Sequence, residues 1–182
     1  MEEKCIRCIL QREVTKKGIK KYVNIMNLFS KVNISEDKNF QKTFTGFYRI
    51  RRNEQFRKEY YDLMQKYKFK NVSFEEILTE LYKFGKLEAS FTSKLIATID
   101  HNLPIWNKYV LDYFNIEPPS REYTDKERIK LACNIYDRIQ GEYKKIIETD
   151  NGKLMIKLFD EYNKRNNLSS VKKIDFIIWQ SR

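Results

Sequence analysis

Glycine and proline are scarce in this chain, with 5 and 3 residues among 182. So few turn formers, with no sustained alternation of apolar and polar residues between them, exclude an all-β sandwich or barrel. Histidine occurs once, at His101. That removes chemistry needing two histidines, and no nucleophile motif stands beside His101 to complete a Ser-His or Cys-His triad. It falls in a turn with Asp100 and Asn102. The three cysteines cannot all pair with one another, and the opening MEEKCIRCIL carries no export signal, so they read as reduced thiols of a cytoplasmic protein. Cys5 and Cys8 have the spacing of half a zinc site, but the remaining candidates, Cys133 and His101, are remote. Two small residues one helical turn apart on a buried face is the expectation, with no metal. There is no glycine-rich phosphate loop, which argues against ATP, GTP and dinucleotides, and no cofactor is expected. Apolar stretches such as Ile174–Trp179 are broken by charge and far below the length a bilayer needs, so no membrane partner is expected.

Acidic residues are also missing, but from one part only. Residues 1–72 hold 18 Lys/Arg against 8 Asp/Glu, a net of +10, whereas residues 73–182 hold 18 against 17, a net of +1. Lysine outnumbers arginine by 25 to 11, as coding in an AT-rich genome would produce. Such a bias does not explain why acids are missing only from the N-terminal half. A basic half beside a neutral one points to a polyanion, and nucleic acid gains affinity for such a surface through counterion release.

What fills the chain is helical spacing. Ile19–Val32 sets Tyr22, Val23, Ile25, Met26 and Phe29 on one side. Ser35 is placed as an N-cap, with Glu36 and Asp37 in the first turn of a helix carrying Phe40, Phe44, Phe47 and Tyr48 to about Ile50. Glu54–Tyr67 repeats Phe56, Tyr60, Leu63, Met64 and Tyr67 at three- and four-residue steps. Ser73 and Glu76 form a capping box ahead of Ile77, Leu78 and Leu81. Helices follow over about Ser90–Ile99 and Ile105–Phe114, then a long one from Thr124 to about Glu148, one opening at Asn151-Gly152, and Val171–Gln180 behind Ser169 or Ser170. The expectation is an all-α protein, a single compact domain of eight or nine short helices. Pro118-Pro119 is the clearest break, and would part lobes 1–117 and 120–182 if there are two.

The densest basic cluster is Phe47-Tyr48-Arg49-Ile50-Arg51-Arg52-Asn53. Arg49, Arg51 and Arg52 suit phosphate contacts, and Tyr48 suits stacking on a base or sugar. Lys16, Lys17, Lys20 and Lys21 supply a second cluster. The alternative is a solvated face, with Phe47 and Ile50 buried and the arginines outside.

Ser93-Lys94-Leu95-Ile96-Ala97-Thr98-Ile99, followed by Leu103-Pro104-Ile105-Trp106-Asn107-Lys108-Tyr109-Val110, has a small residue and lysine opening an apolar helix, then a short turn and a Pro-apolar-apolar-polar run. Over about 25 residues this resembles the helix-hairpin-helix DNA glycosylase superfamily, most nearly its compact bacterial 8-oxoguanine-glycosylase-like members. The stretch from Ser90 to Lys172–Gln180 is also similar to small uncharacterised bacterial proteins. The resemblance implies a lysine that attacks the sugar C1′ and a carboxylate that stabilises the developing charge. By position, Lys94 takes the first place and Asn107 the second. Two departures matter. The glycine-rich hairpin turn is replaced by Leu87-Glu88-Ala89-Ser90-Phe91-Thr92, and neutral Asn107 cannot stabilise positive charge at the sugar. The simpler alternative is a helical hairpin whose Lys94 and Asn107 are merely polar.

The sequence therefore leads to a DNA-binding helical protein without a competent glycosylase site. A glycosylase or lyase acting through Lys94, and a helical module whose basic face meets an acidic protein, remain as alternatives.

Overall fold

The computed structural model describes residues 1–120, 122–164 and 167–181. Among these there are ten α-helices and no strand. In chain order they are α1 Glu3–Gln11, α2 Glu13–Lys31, α3 Lys38–Tyr48, α4 Glu54–Tyr67, α5 Phe74–Tyr82, α6 Ala89–Ile99, α7 Lys108–Phe114, α8 Asp125–Glu148, α9 Asp150–Tyr162 and α10 Ser170–Gln180. The class is all-α, as expected, and the helix beyond the expected nine is α1.

Local chemistry sets the boundaries. Ser73 with Glu76 and Thr124 with Glu127 form complete capping boxes on α5 and α8. Ser35 does not cap α3. Asn33 Oδ1 accepts from the Ser35 backbone N–H at 3.1 Å and holds it in a turn, so the helix starts later, with Asp37 Oδ1 accepting from Phe40 N–H at 2.6 Å. Between α1 and α2 the breaker is Arg12, in extended backbone and with no side-chain cap. The buried Thr15 hydroxyl pins that corner by donating to the Ile9 carbonyl at 2.7 Å. α7 begins at Lys108 rather than Ile105, because Asn107 is its cap. Between α8 and α9, Thr149 ends one helix and caps the next. A Cβ on Gly152 would stand 1.8 Å from the Ile146 carbonyl oxygen, so only glycine fits there.

The centre of the molecule is α10. Val171, Ile174, Phe176, Ile177 and Ile178 are buried, and so are Lys172, Asp175 and Gln180. A helix buried around its circumference needs neighbours on all sides. α10 packs on α1, α2, α7, α8 and α9. α2 lies on α3, α1 on α9, and α5 on both α6 and α8. Helices from both sides of Pro118-Pro119 thus contribute to one core. α1 buries Ile6, Ile9 and Leu10 and leaves Cys5 and Cys8 exposed. The expected buried cysteine face is therefore the opposite face of the helix.

Candidate nucleic-acid-binding site

Two charges inside α10 organise the site. Lys172 Nζ lies 2.9 Å from Asp175 Oδ2, one turn apart, with both side chains almost wholly buried. The Tyr143 hydroxyl donates to Asp175 Oδ1 at 2.5 Å. Desolvation works against the Lys172 charge, but the charge of Asp175 outweighs it and holds the ammonium above the ordinary lysine range. Lys172 Nζ also sits 5.2 Å from the centroid of the Tyr22 ring, over its face.

This pair lines a cavity of about 230 Å³. Tyr22 of α2 and Phe47 and Tyr48 of α3 form one wall, and Phe176 and Trp179 of α10 another. Lys94 and Asn107 also line it, with Ile105 and Tyr109, and exposed Arg49 stands at its edge. The two residues singled out by the glycosylase resemblance thus reach one pocket.

The segment 100–107 brings them there. Ser93, the residue before Lys94, accepts the Trp106 backbone N–H on its buried hydroxyl at 2.9 Å. The Tyr136 hydroxyl donates to the Pro104 carbonyl at 2.9 Å. These bonds tie the extended Pro104–Trp106 stretch to α6 and α8, and Asn107 follows directly. Asn107 has a structural task as well, since its Oδ1 accepts from Val110 N–H at 3.0 Å. Its amide N–H groups are the part left for the pocket.

Burial pulls the Lys94 ammonium down to about 8, and nearby Glu88 only partly opposes this. The amine lies 4.9 Å from the Phe91 ring centroid. The buried hydroxyls of Tyr22 and Tyr48 have no hydrogen-bond partner among the described residues. Burial raises the pKa of both, so both stay protonated. Both oxygens of Asp175 already accept a hydrogen bond. The pocket therefore offers flat aromatic walls and an excess of donors. It suits a planar ring carrying acceptor atoms, in a volume just under the 300 Å³ or so at which drug-sized pockets begin.

The remaining predicted residues sort by position. Tyr48 is a pocket wall rather than a surface stacking residue. Lys17 and Lys21 line a second hollow of about 330 Å³ together with Arg49. Lys16, Lys20 and Arg51 are exposed, but Lys16 pairs with Glu13 at 3.0 Å and Lys20 faces a different hollow beside His101. Arg52 is turned inward. It is paired with Glu88, lies over the Phe56 ring at 4.6 Å, and is not outside as the solvated-face alternative has it. Sequence reasoning missed Tyr22, Lys172 and Asp175. The available signal was a lysine and an aspartate three apart in the otherwise apolar final helix, a place where charges need a reason. Among the described residues no three His, Cys, Asp or Glu side chains are grouped to hold a metal ion, and no helix is long and apolar enough to cross a membrane.

Fold and site together define an all-helical protein with a donor-rich aromatic pocket at the edge of a basic face. No protein-family model matches the chain, and no curated protein or solved structure shows significant similarity to it.

Proposed function

We propose that the protein binds DNA and receives in its pocket a base lifted out of the stack. The observation that carries this is the pair of buried hydroxyls of Tyr22 and Tyr48, without a partner among the described residues, on side chains that line an aromatic-walled cavity beside exposed cations. A base taken out of a helix is held by stacking between aromatic or apolar side chains and by hydrogen bonds to its edge. Its phosphates are met by the basic rim. Asn107 is neutral and Asp175 is committed to Lys172 and Tyr143, so the stabilisation of positive charge at the sugar that base removal demands is missing from this reading.

Tyr22→Phe/Tyr48→Phe is the test. The hydroxyls bond to nothing in the described structure, so the variant should fold at least as well as the parent. It should bind DNA about 5–30-fold more weakly in fluorescence anisotropy, the equivalent of one or two hydrogen bonds. Unchanged affinity would remove the pocket from the binding site. If the parent shows no salt-dependent binding to single- or double-stranded DNA, the basic face is left to an acidic protein partner.

One observation favours a second reading, a glycosylase or lyase acting through Lys94. With its pKa near 8, this amine is neutral far more often at neutral pH than a surface lysine. In that chemistry the neutral amine bonds to the sugar C1′ and the base leaves with the electrons of the glycosidic bond and takes up a proton. The opened sugar then remains as an imine on Lys94. Borohydride would trap it as a stable protein–DNA adduct, and Lys94→Ala would abolish it. Absence of the adduct on both damaged-base and abasic DNA leaves binding alone.

A further inference from the structure

The seven cations singled out within the basic half are not equivalent in space. Lys17 and Lys21 stand one turn apart on α2 and line, with Arg49, the hollow of about 330 Å³ between α2, α3 and the end of α10. No ion pair among the described residues engages any of the three. No acidic residue lines the hollow. Its floor is aromatic, with half-buried Trp179 packed edge-on against Phe47 at 5.5 Å between ring centroids. Phe47, Arg49 and Trp179 also line the aromatic pocket, so the two hollows adjoin. Arg49, which lines both, holds a left-handed backbone at φ 53° as the C-cap that ends α3. Such a conformation costs energy and persists only where its surroundings fix it.

We infer that Lys17, Lys21 and Arg49 form a track for one strand of DNA, holding the phosphates that directly adjoin the nucleotide seated in the pocket. This rests on the proposed base pocket and names which cations serve it. A hollow of about 330 Å³ suits a single backbone better than a duplex. The aromatic floor gives a neighbouring base a ring to stack on, and Arg49 is common to the hollow and the pocket. Lys16, Lys20 and Arg52 are excluded from the track, being respectively paired, turned to another hollow and paired inward.

Gly46 lines the same hollow, and a Cβ built there meets nothing within 4 Å. It is therefore a place where a charge can be set into the track without disturbing the fold. The experiment measures binding of a labelled thymidine homopolymer over a range of salt concentrations, using the full chain. Lys17→Gln/Lys21→Gln/Arg49→Gln should lower the log–log salt slope by about 2, at roughly 0.7 for each single-strand phosphate neutralised. Lys16→Gln/Lys20→Gln should leave the slope unchanged. Gly46→Glu should weaken binding at least tenfold, and Gly46→Ala should not. Equal slope losses in the two lysine sets would overturn the track, as would full binding by Gly46→Glu. If Tyr22→Phe/Tyr48→Phe weakens binding while the triple variant does not, the pocket stands and the track falls. If the triple variant loses slope while Tyr22→Phe/Tyr48→Phe binds as tightly as the parent, the track stands and the pocket falls. A duplex bound more tightly than the single strand, with the same residues responsible, would refute the commitment to one strand.

Discussion

Replacing Lys94 by methionine should stabilise the protein at neutral pH and lose that benefit in alkali. In the folded chain the Lys94 amine titrates at about 8 instead of 10.5, chiefly because burial disfavours its charge. At neutral pH both the folded and unfolded states carry the proton, and the folded state bears the full cost of a buried ammonium. Between about pH 8 and 10.5 the unfolded chain holds a proton that the folded chain has released, so the stability of the parent rises with pH across that window. The shift corresponds to about 3 kcal/mol, which is an upper value for a partly accessible group. Methionine keeps the length and apolar stem of the side chain and never carries the charge. Urea unfolding followed by far-UV circular dichroism should show Lys94→Met ahead by up to about 3 kcal/mol at neutral pH, with the two proteins converging near pH 10. A variant no more stable than the parent at neutral pH would show that the ammonium is not penalised. A gain that persists unchanged into alkali would trace to packing instead of charge. If the prediction holds, the fold maintains a destabilising charge at its pocket, a cost of the kind that functional sites carry.

Asp175→Ala should cost about 3–5 kcal/mol, because it strands the buried Lys172 ammonium and leaves the Tyr143 hydroxyl without its acceptor. Lys172→Met/Asp175→Leu should recover most of that loss, and thermal unfolding of the two variants would check the pair. Gly152→Ala should lose about 3 kcal/mol or more, since its Cβ would collide with the fixed Ile146 carbonyl. Gly141→Ala, inside α8 with nothing within 4 Å of the new Cβ, should gain about 0.5–1 kcal/mol by the same assay.

How far the sequence carried depends on how local each signal is. Helices α4, α5 and α8 were legible because caps and periodic apolar residues lie within a few positions of one another, as with Ser73 and Glu76 or Thr124 and Glu127. α1 was not, because the corner at Arg12 uses no glycine, proline or capping side chain and is held instead by Thr15 reaching back to Ile9. The start of α3 was misplaced by two residues because Asn33, Ser35 and Asp37 compete for one role, and only the folded backbone decides between them. At the pocket, Lys94 and Asn107 came from the glycosylase resemblance, whose motif spans the 13 positions that separate them. Tyr22 and the Lys172–Asp175 pair reach it from distant parts of the chain, and no spacing rule spans that distance.

The pairing of α1 with α9 has a consequence for how the chain is made. The Met1 ammonium donates to Asn151 Oδ1 at 3.1 Å, and Asn151 Nδ2 donates to the Met1 carbonyl at 2.6 Å, across 150 positions of sequence. α10, which covers α1, α2, α7, α8 and α9, is made after all of them. α1 therefore leaves the ribosome long before α9 and α10 exist, with part of the cover of Ile6, Ile9 and Leu10 still missing. Contacts between such distant segments slow folding relative to helical bundles built from adjacent hairpins. α1 waits for these partners, and the chain closes over its buried ion pair only after α10 has been made.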